Sequence, residues 1–144
     1  MKRGLGRGYE LDDDPARIDV AAVHRFISEE SYWAPGREYE TQERLIREAA
    51  RVVGLYHEGA QVGFCRAVTT FGFPGVYLAD VYVLTEHRGR GLGIALVGEM
   101  IENGPFADRA WLLHTGDAHD LYRKFGFGPP SERLMERLPP ARRD

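Results

Sequence analysis

At 144 residues the chain has room for one compact domain, residues 1–144, burying about two-thirds of its unfolded surface. Its 19 basic and 22 acidic side chains leave a net charge of −3, which excludes a charge-driven nucleic-acid or membrane partner. No apolar run is long enough for a signal core or a membrane span. With Cys65 alone there is no internal disulfide, and an intracellular, cytoplasmic protein is expected.

The opening MKRGLGRG is basic and runs straight into Asp12, Asp13 and Asp14, so it reads as a solvated or edge segment. Tyr9, Glu10 and Leu11 suggest a short strand. Asp19 precedes VAAVHRFISEE, where Val20, Val23, Phe26 and Ile27 share a face, predicting a helix capped near Asp19. The next segment, SYWAPGR, breaks that helix with Pro-Gly turn chemistry. It leaves Tyr32 and Trp33 beside the turn, either as core anchors or as the wall of a ligand cavity.

A second helix is expected over residues 39–50, then strands at 51–56 and 61–70 joined by a tight turn. The sequence Phe71-Gly72-Phe73-Pro74-Gly75 predicts another turn. Residues 76–84 are mostly β-branched, aromatic or aliphatic, as in a strand. Residues 92–101 carry apolar side chains at three- and four-residue steps, as in a helix. Asn103-Gly104-Pro105 stops that helix. A strand at 109–114, a helix at 118–125 closed by Gly126, and a last strand around 133–138 complete the pattern. The order β, α, α, β, β, β, α, β, α, β predicts an α/β (α+β) protein whose mixed, mostly antiparallel sheet has helices on both faces.

Between the strand at 76–84 and the helix at 92–101 lies Arg88-Gly89-Arg90-Gly91-Leu92-Gly93. A strand that turns through glycines into a helix leaves several N–H groups pointing one way. With the helix dipole and two arginines they form an anion site, and a phosphate-bearing ligand is the first candidate. The dinucleotide fingerprint G-x-G-x-x-G fails, because Ile94 or Leu96 stands where its third glycine belongs. The P-loop fails because no lysine is present.

The pattern that fits is R-x-x-G-x-G at Arg88, Gly91 and Gly93, which resembles the pyrophosphate loop of the GCN5-related N-acetyltransferase (GNAT) superfamily. A second motif is similar to the same family: Ala118, Leu121, Tyr122, Lys124, Gly126 and Phe127 match A-x-x-L-Y-x-K-x-G-F at every fixed position. The runs SYWAPGR, LADVYVL and T-x-D-A-H-x-L-Y resemble a set of small bacterial and fungal members, mostly without assigned substrates. The resemblance covers nearly the whole chain and implies the GNAT fold, with the sheet splayed between the central strand and the next. It also implies acetyl-CoA as donor, bound by residues 88–93 and by the main chain of Val81, Tyr82 and Val83. Seven residues before Tyr122 the family often has a cofactor-contacting asparagine; here Thr115 stands there, with a hydroxyl of shorter reach. A homodimer through sheet edges or the RLMERL segment is the assembly that relatives suggest.

Acyl transfer to an amine asks three things of the chain. The diphosphate must be held, for which Arg88, Gly89, Arg90, Gly91, Leu92 and Gly93 serve. The amine must lose a proton, which at a pKa of about 10.4 costs about 4.6 kcal/mol at pH 7. Asp80, interrupting an apolar strand eight residues before Arg88, is the candidate base; its other reading is a carboxylate that satisfies backbone donors where the strand splays. Polyamine acetyltransferases carry an acidic residue at a similar place. His114, Asp117 and His119 are weaker candidates, each also readable as a cap or surface residue. Finally, the resemblance gives Tyr122 the departing thiolate. Full proton transfer from tyrosine to a thiolate is uphill by roughly 2 kcal/mol, so a strong hydrogen bond is the more economical role.

Cys65 lies in an apolar strand and reads as core. His114, Asp117, His119 and Cys65 lack any metal-site spacing, and no metal is expected. The favoured function is N-acetylation of a small-molecule amine, with Tyr32 and Trp33 lining the acceptor cavity. A protein or peptide acceptor, or a non-catalytic acyl-CoA sensor, are the alternatives.

Overall fold

The computed structural model describes residues 1–69 and 75–142. The turn expected at 71–75 therefore lies outside the described residues, apart from Gly75, and so do Phe71 and Phe73. The chain divides into two compact units, Met1–His114 and Thr115–Asp144.

The first unit is built on six strands in sequential order: β1 (Lys2–Gly6), β2 (Tyr9–Asp12), β3 (Arg51–His57), β4 (Ala60–Thr69), β5 (Gly75–Val83) and β6 (Ala110–Leu112). Neighbours pair antiparallel from β1 to β5, and β5 pairs parallel with β6. The basic N-terminal segment is thus an exposed edge strand, turned into β2 through Gly6, Arg7 and Gly8, all at positive φ. Three helices join these strands: α1 (Val20–Glu30), α2 (Tyr39–Arg47) and α3 (Leu92–Glu102).

Helix α1 begins where expected. The Asp19 carboxylate accepts from the Ala22 amide at 3.0 Å, an N-cap worth about 0.5–2 kcal/mol. Its apolar face, Val23, Phe26 and Ile27, packs with Ile46 of α2 onto Val52, Phe64 and Tyr82 of the sheet. The Phe26 and Tyr82 rings stack at 4.0 Å. Leu96, Val97 and Met100 of α3 are completely buried, and α3 lies against β3, β4 and β5. Strand alternation then sends one set of side chains to α1 and α2 and the other set to α3.

The C-terminal end of α3 is satisfied by an arginine. The buried Arg51 donates to the carbonyls of Glu99 (2.8 Å) and Met100 (3.2 Å) and pairs with Asp13 at 3.1 Å. A cation there offsets the negative end of the helix dipole. Glu99, itself buried, also takes the Arg3 side chain at 2.6 Å, tying the edge strand to the helix.

In the second unit, α4 (His119–Arg123) is short and its turn closes through Gly126 at φ 87°. The strand expected around residues 133–138 does not form. A turn closes from Ser131 to Leu134, and Leu134, Met135 and Leu138 are exposed. The apolar positions Leu134, Met135 and Leu138 do not alternate with period two, and strand propensity alone does not hold such a segment.

Strands β4 and β5 approach closely at Gly63. A Cβ on Gly63 would stand 2.9 Å from the Tyr82 carbonyl oxygen and 3.1 Å from Leu55. Gly63→Ala must displace backbone and is expected to cost about 1–3 kcal/mol, seen as a fall of several degrees in melting temperature.

Candidate active site

Strand β5 is satisfied along one edge and open along most of the other. Against β4 it pairs from Val76 to Val83. Against β6 it pairs only over residues 75–77. From Leu78 onward no described strand covers that edge, which leaves main-chain groups free to bond an extended ligand lying alongside. Val81, Tyr82 and Val83, the residues expected to hold the donor, lie on this stretch. One carbonyl of it is taken: Arg88 folds back and donates from Nε to the Val83 oxygen at 2.9 Å. That bond ties the loop to the strand end and leaves the arginine's terminal nitrogens for an anion.

The loop then enters α3. Gly89 and Gly91 sit at φ 78° and 75°, where a side chain would be strained. Among the described residues, none of the main-chain N–H groups of residues 89–94 donates to a protein acceptor, and Gly91 caps the helix without a side-chain bond. Arg90 is exposed and forms no ion pair with the described residues. Leu92 alone in this run turns inward and is buried.

Gly93 is informative in another way. Its φ is unremarkable, and a Cβ added there would meet nothing within 4 Å, yet glycine in a first helical turn costs about 1 kcal/mol relative to alanine. Nothing among the described residues asks for glycine at this position. A ligand approaching the backbone closely would. The loop therefore fits a diphosphate by open space, free donors and positive charge together.

On the face of α1 and α2, Asp80 occupies a bulge. The β4–β5 register shifts between Phe64 and Arg66, and Asp80 adopts φ 54°, a strained conformation for a residue with a side chain. Its carboxylate is almost wholly buried. Oδ1 accepts from the Trp33 indole at 3.0 Å, and Oδ2 from Arg37 Nη1 and Arg66 Nε, each at 2.7 Å. Burial alone would push this carboxyl up; the Arg66 charge and the hydrogen bonds of Arg37 and Arg66 outweigh it and hold it below the ordinary range.

These contacts bear on the expectation for Asp80. A base needs a pKa near the working pH, and a carboxylate so stabilised, with both oxygens engaged, is a poor proton acceptor. Its partners are side chains, not the backbone donors considered from the sequence. Asp80 is an anchor for the loop between α1 and α2. Arg37 and Arg66 were not singled out as functional, although an arginine inside VGFCRAV is a signal of the same kind as Asp80.

Tyr32 and Trp33 are exposed rather than core, with their rings edge to face at 5.2 Å. His114 shares a hydrogen bond with the Tyr77 hydroxyl at 2.6 Å through Nδ1. In the second unit, Thr115 Oγ1 accepts from the Ala118 amide at 3.0 Å, so its hydroxyl caps the turn into α4. Asp117 and His119 are exposed. Tyr122 is buried, its ring edge-on to Phe127 at 5.8 Å. Cys65 is completely buried, and burial pushes its thiol well above the ordinary value, which suits core and not a nucleophile.

Residues 48–129 match the model of the acetyltransferase (GNAT) domain. The chain belongs to the GNAT acetyltransferase family. A GNAT-family protein from Xanthomonas campestris pv. campestris, named a "putative acetyltransferase", is 33% identical, with 95% of this chain and 96% of that one aligned at a TM-score of 0.81. A Gibberella zeae protein, also named "putative acetyltransferase", is 29% identical over 82% of this chain and 78% of its own length. The fold is shared as well with a Clostridium acetobutylicum predicted acetyltransferase solved with acetyl-CoA, at 14% identity and a TM-score of 0.68 over 96% of this chain and 97% of that one. The six-stranded mixed sheet is the fold that this GNAT membership implied.

Asp80→Ala would leave two guanidinium groups buried against each other and should cost about 3–5 kcal/mol at pH 7. Because the folded carboxyl titrates below its unfolded value of about 3.9, its contribution is complete above that pH and is lost as the pH falls through the lower folded value. Urea unfolding of wild type and variant should therefore differ fully at pH 7 and converge only in strong acid.

Proposed function

We propose that this GNAT protein moves the acetyl group of acetyl-CoA to a primary amine of a small molecule by direct attack. The observation that carries the reading is the unbroken run of free N–H groups at residues 89–94, set immediately after a strand with an open edge. These two features suit the two ends of one long ligand, a diphosphate and an amide-bearing arm.

When bound, the donor supplies an activated thioester. The chain supplies the rest. Residues 89–94, with Arg88 and Arg90, hold the diphosphate charge. The edge from Leu78 to Val83 orients the arm by main-chain hydrogen bonds, for which side-chain identity matters little. Tyr122 is the group assigned to the departing sulfur, where a phenol O–H stabilises developing negative charge. Asp80 positions the loop that carries Tyr32 and Trp33 and takes no proton. Exposed aromatic rings beside the strand suit a compact acceptor. A phenol kept at position 122 favours turnover over mere sensing of acyl-CoA, and Thr115, occupied as a cap, contributes less to the donor than the family's asparagine.

Acetyl-CoA at 100 times its Kd should stabilise the protein by about 2.7 kcal/mol in a thermal-shift titration. Gly93→Glu tests the loop without backbone strain: the free variant should melt no lower than wild type, since glutamate suits a helix N-terminus, while the ligand-induced shift disappears. A retained shift would remove the donor from this loop.

Tyr122→Phe should lower kcat by about 10- to 100-fold, at the low end for acid catalysis because a thiolate leaves readily, with acetyl-CoA binding retained. Thiol release under saturating donor reads this directly. An unchanged kcat would return Tyr122 to a packing role.

A further inference from the structure

The Asp80 cluster holds more positive charge than it neutralises. Two guanidinium groups, Arg37 and Arg66, share one carboxylate, and the three side chains are only 15%, 10% and 1% exposed. Arg66 spends Nε on Asp80, and neither of its terminal amino groups has a partner among the described residues. Arg37 uses the same amino group for Asp80 at 2.7 Å and Gln42 at 3.0 Å, which leaves its other amino group uncommitted. No further carboxylate among the described residues pairs with either arginine. A mostly buried cation without a counter-charge is costly, and a bound anion would offset that cost.

The place of the cluster matters as much as its charge. Arg66 stands opposite Ala79 in the β4–β5 ladder, and Asp80 adjoins Val81, so the cluster lies about one strand residue, ~3.3 Å of rise, from the open edge assigned to the donor. Trp33, which bonds the same carboxylate, remains 40% exposed and walls the position with an aromatic face.

We infer that the acceptor amine carries an anionic group, foremost a carboxylate, which binds the free amino ends of Arg66 and Arg37 beside Trp33. This rests on the transferase reading above and names its acceptor class. The planar fork of a guanidinium matches a carboxylate by two parallel hydrogen bonds. A polyamine would bring further positive charge to a site already in surplus and be disfavoured, although an acidic residue at position 80 taken alone suggests the opposite.

The experiment measures thiol release from acetyl-CoA with amines of similar size: β-alanine and γ-aminobutyrate, O-phosphoethanolamine, n-butylamine and putrescine. The expected result is kcat/KM at least about tenfold higher for the anionic amines than for butylamine or putrescine, equivalent to one decade of affinity. Either anionic class leading supports the inference, and which leads tells carboxylate from phosphate. Arg37→Gln, which leaves the Arg66–Asp80 pair in place, should raise KM for the anionic amine about tenfold or more with kcat changed far less. Arg66→Lys, keeping the charge and removing the fork, should do the same.

An intact acetyl-CoA thermal shift in both variants certifies fold and donor site. Preference for butylamine or putrescine, or an unchanged KM in Arg37→Gln, would overturn the inference. So would an acetyl-CoA shift with no anionic amine either turned over or adding to the melting temperature; the donor site would then stand. Absence of any acetyl-CoA shift would instead remove the transferase reading, and the acceptor class with it.

Discussion

The site depends on one buried carboxylate in a strained place. Asp80 sits in the left-handed region within a strand, a conformation that costs of order 1–3 kcal/mol unless its surroundings impose it. Here they do. Three donors from two different segments converge on its two oxygens: Trp33 and Arg37 from the loop between α1 and α2, and Arg66 from the neighbouring strand. The bulge, the loop position and the burial of both arginines are a single arrangement, and none of its parts is satisfied without the others. Asp80 therefore ties the bulge, the loop and Arg66 together.

Around that centre the protein treats the two ends of α3 differently. At the C-terminal end, Arg51 meets the last carbonyls and Glu99 binds the edge strand through Arg3. At the N-terminal end the amides have no partners among the described residues, and three glycines keep side chains away from them. A helix end without partners is costly when buried and useful when it faces a ligand. The same contrast runs along β5, whose β4 edge is paired almost throughout while its β6 edge is closed for only three residues. The packing of Leu96, Val97 and Met100 against the sheet fixes where both open features face.

Charge is arranged differently in the glycine loop and around Asp80. The loop at residues 88–93 presents dispersed N–H donors and arginines at the surface, an arrangement suited to a solvated anion. The Asp80 cluster concentrates its surplus charge in side chains that are mostly buried, where electrostatic discrimination between anionic and cationic partners is stronger than in water. That surplus comes from the particular pairing of Arg37 and Arg66 with one aspartate.

Much of the fold and of the donor loop was readable in the sequence, because both rest on short-range chemistry. Asp19 as a cap, the apolar period of α1 and α3, and the glycines at 89, 91 and 93 act through neighbours within a few residues. The segment at 133–138 misled because aliphatic residues give only a local propensity, whereas a strand needs a partner edge. The surroundings of Asp80 were not legible for the complementary reason: an acid in an apolar run signals a polar environment without saying whether that environment frees or neutralises it. Only the tertiary structure brings Trp33, Arg37 and Arg66 onto the Asp80 carboxylate. By itself the sequence determined where backbone donors would be left open for an anion; which charges remain unpaired beside them was decided by contacts between residues up to 47 positions apart, which no local pattern encodes.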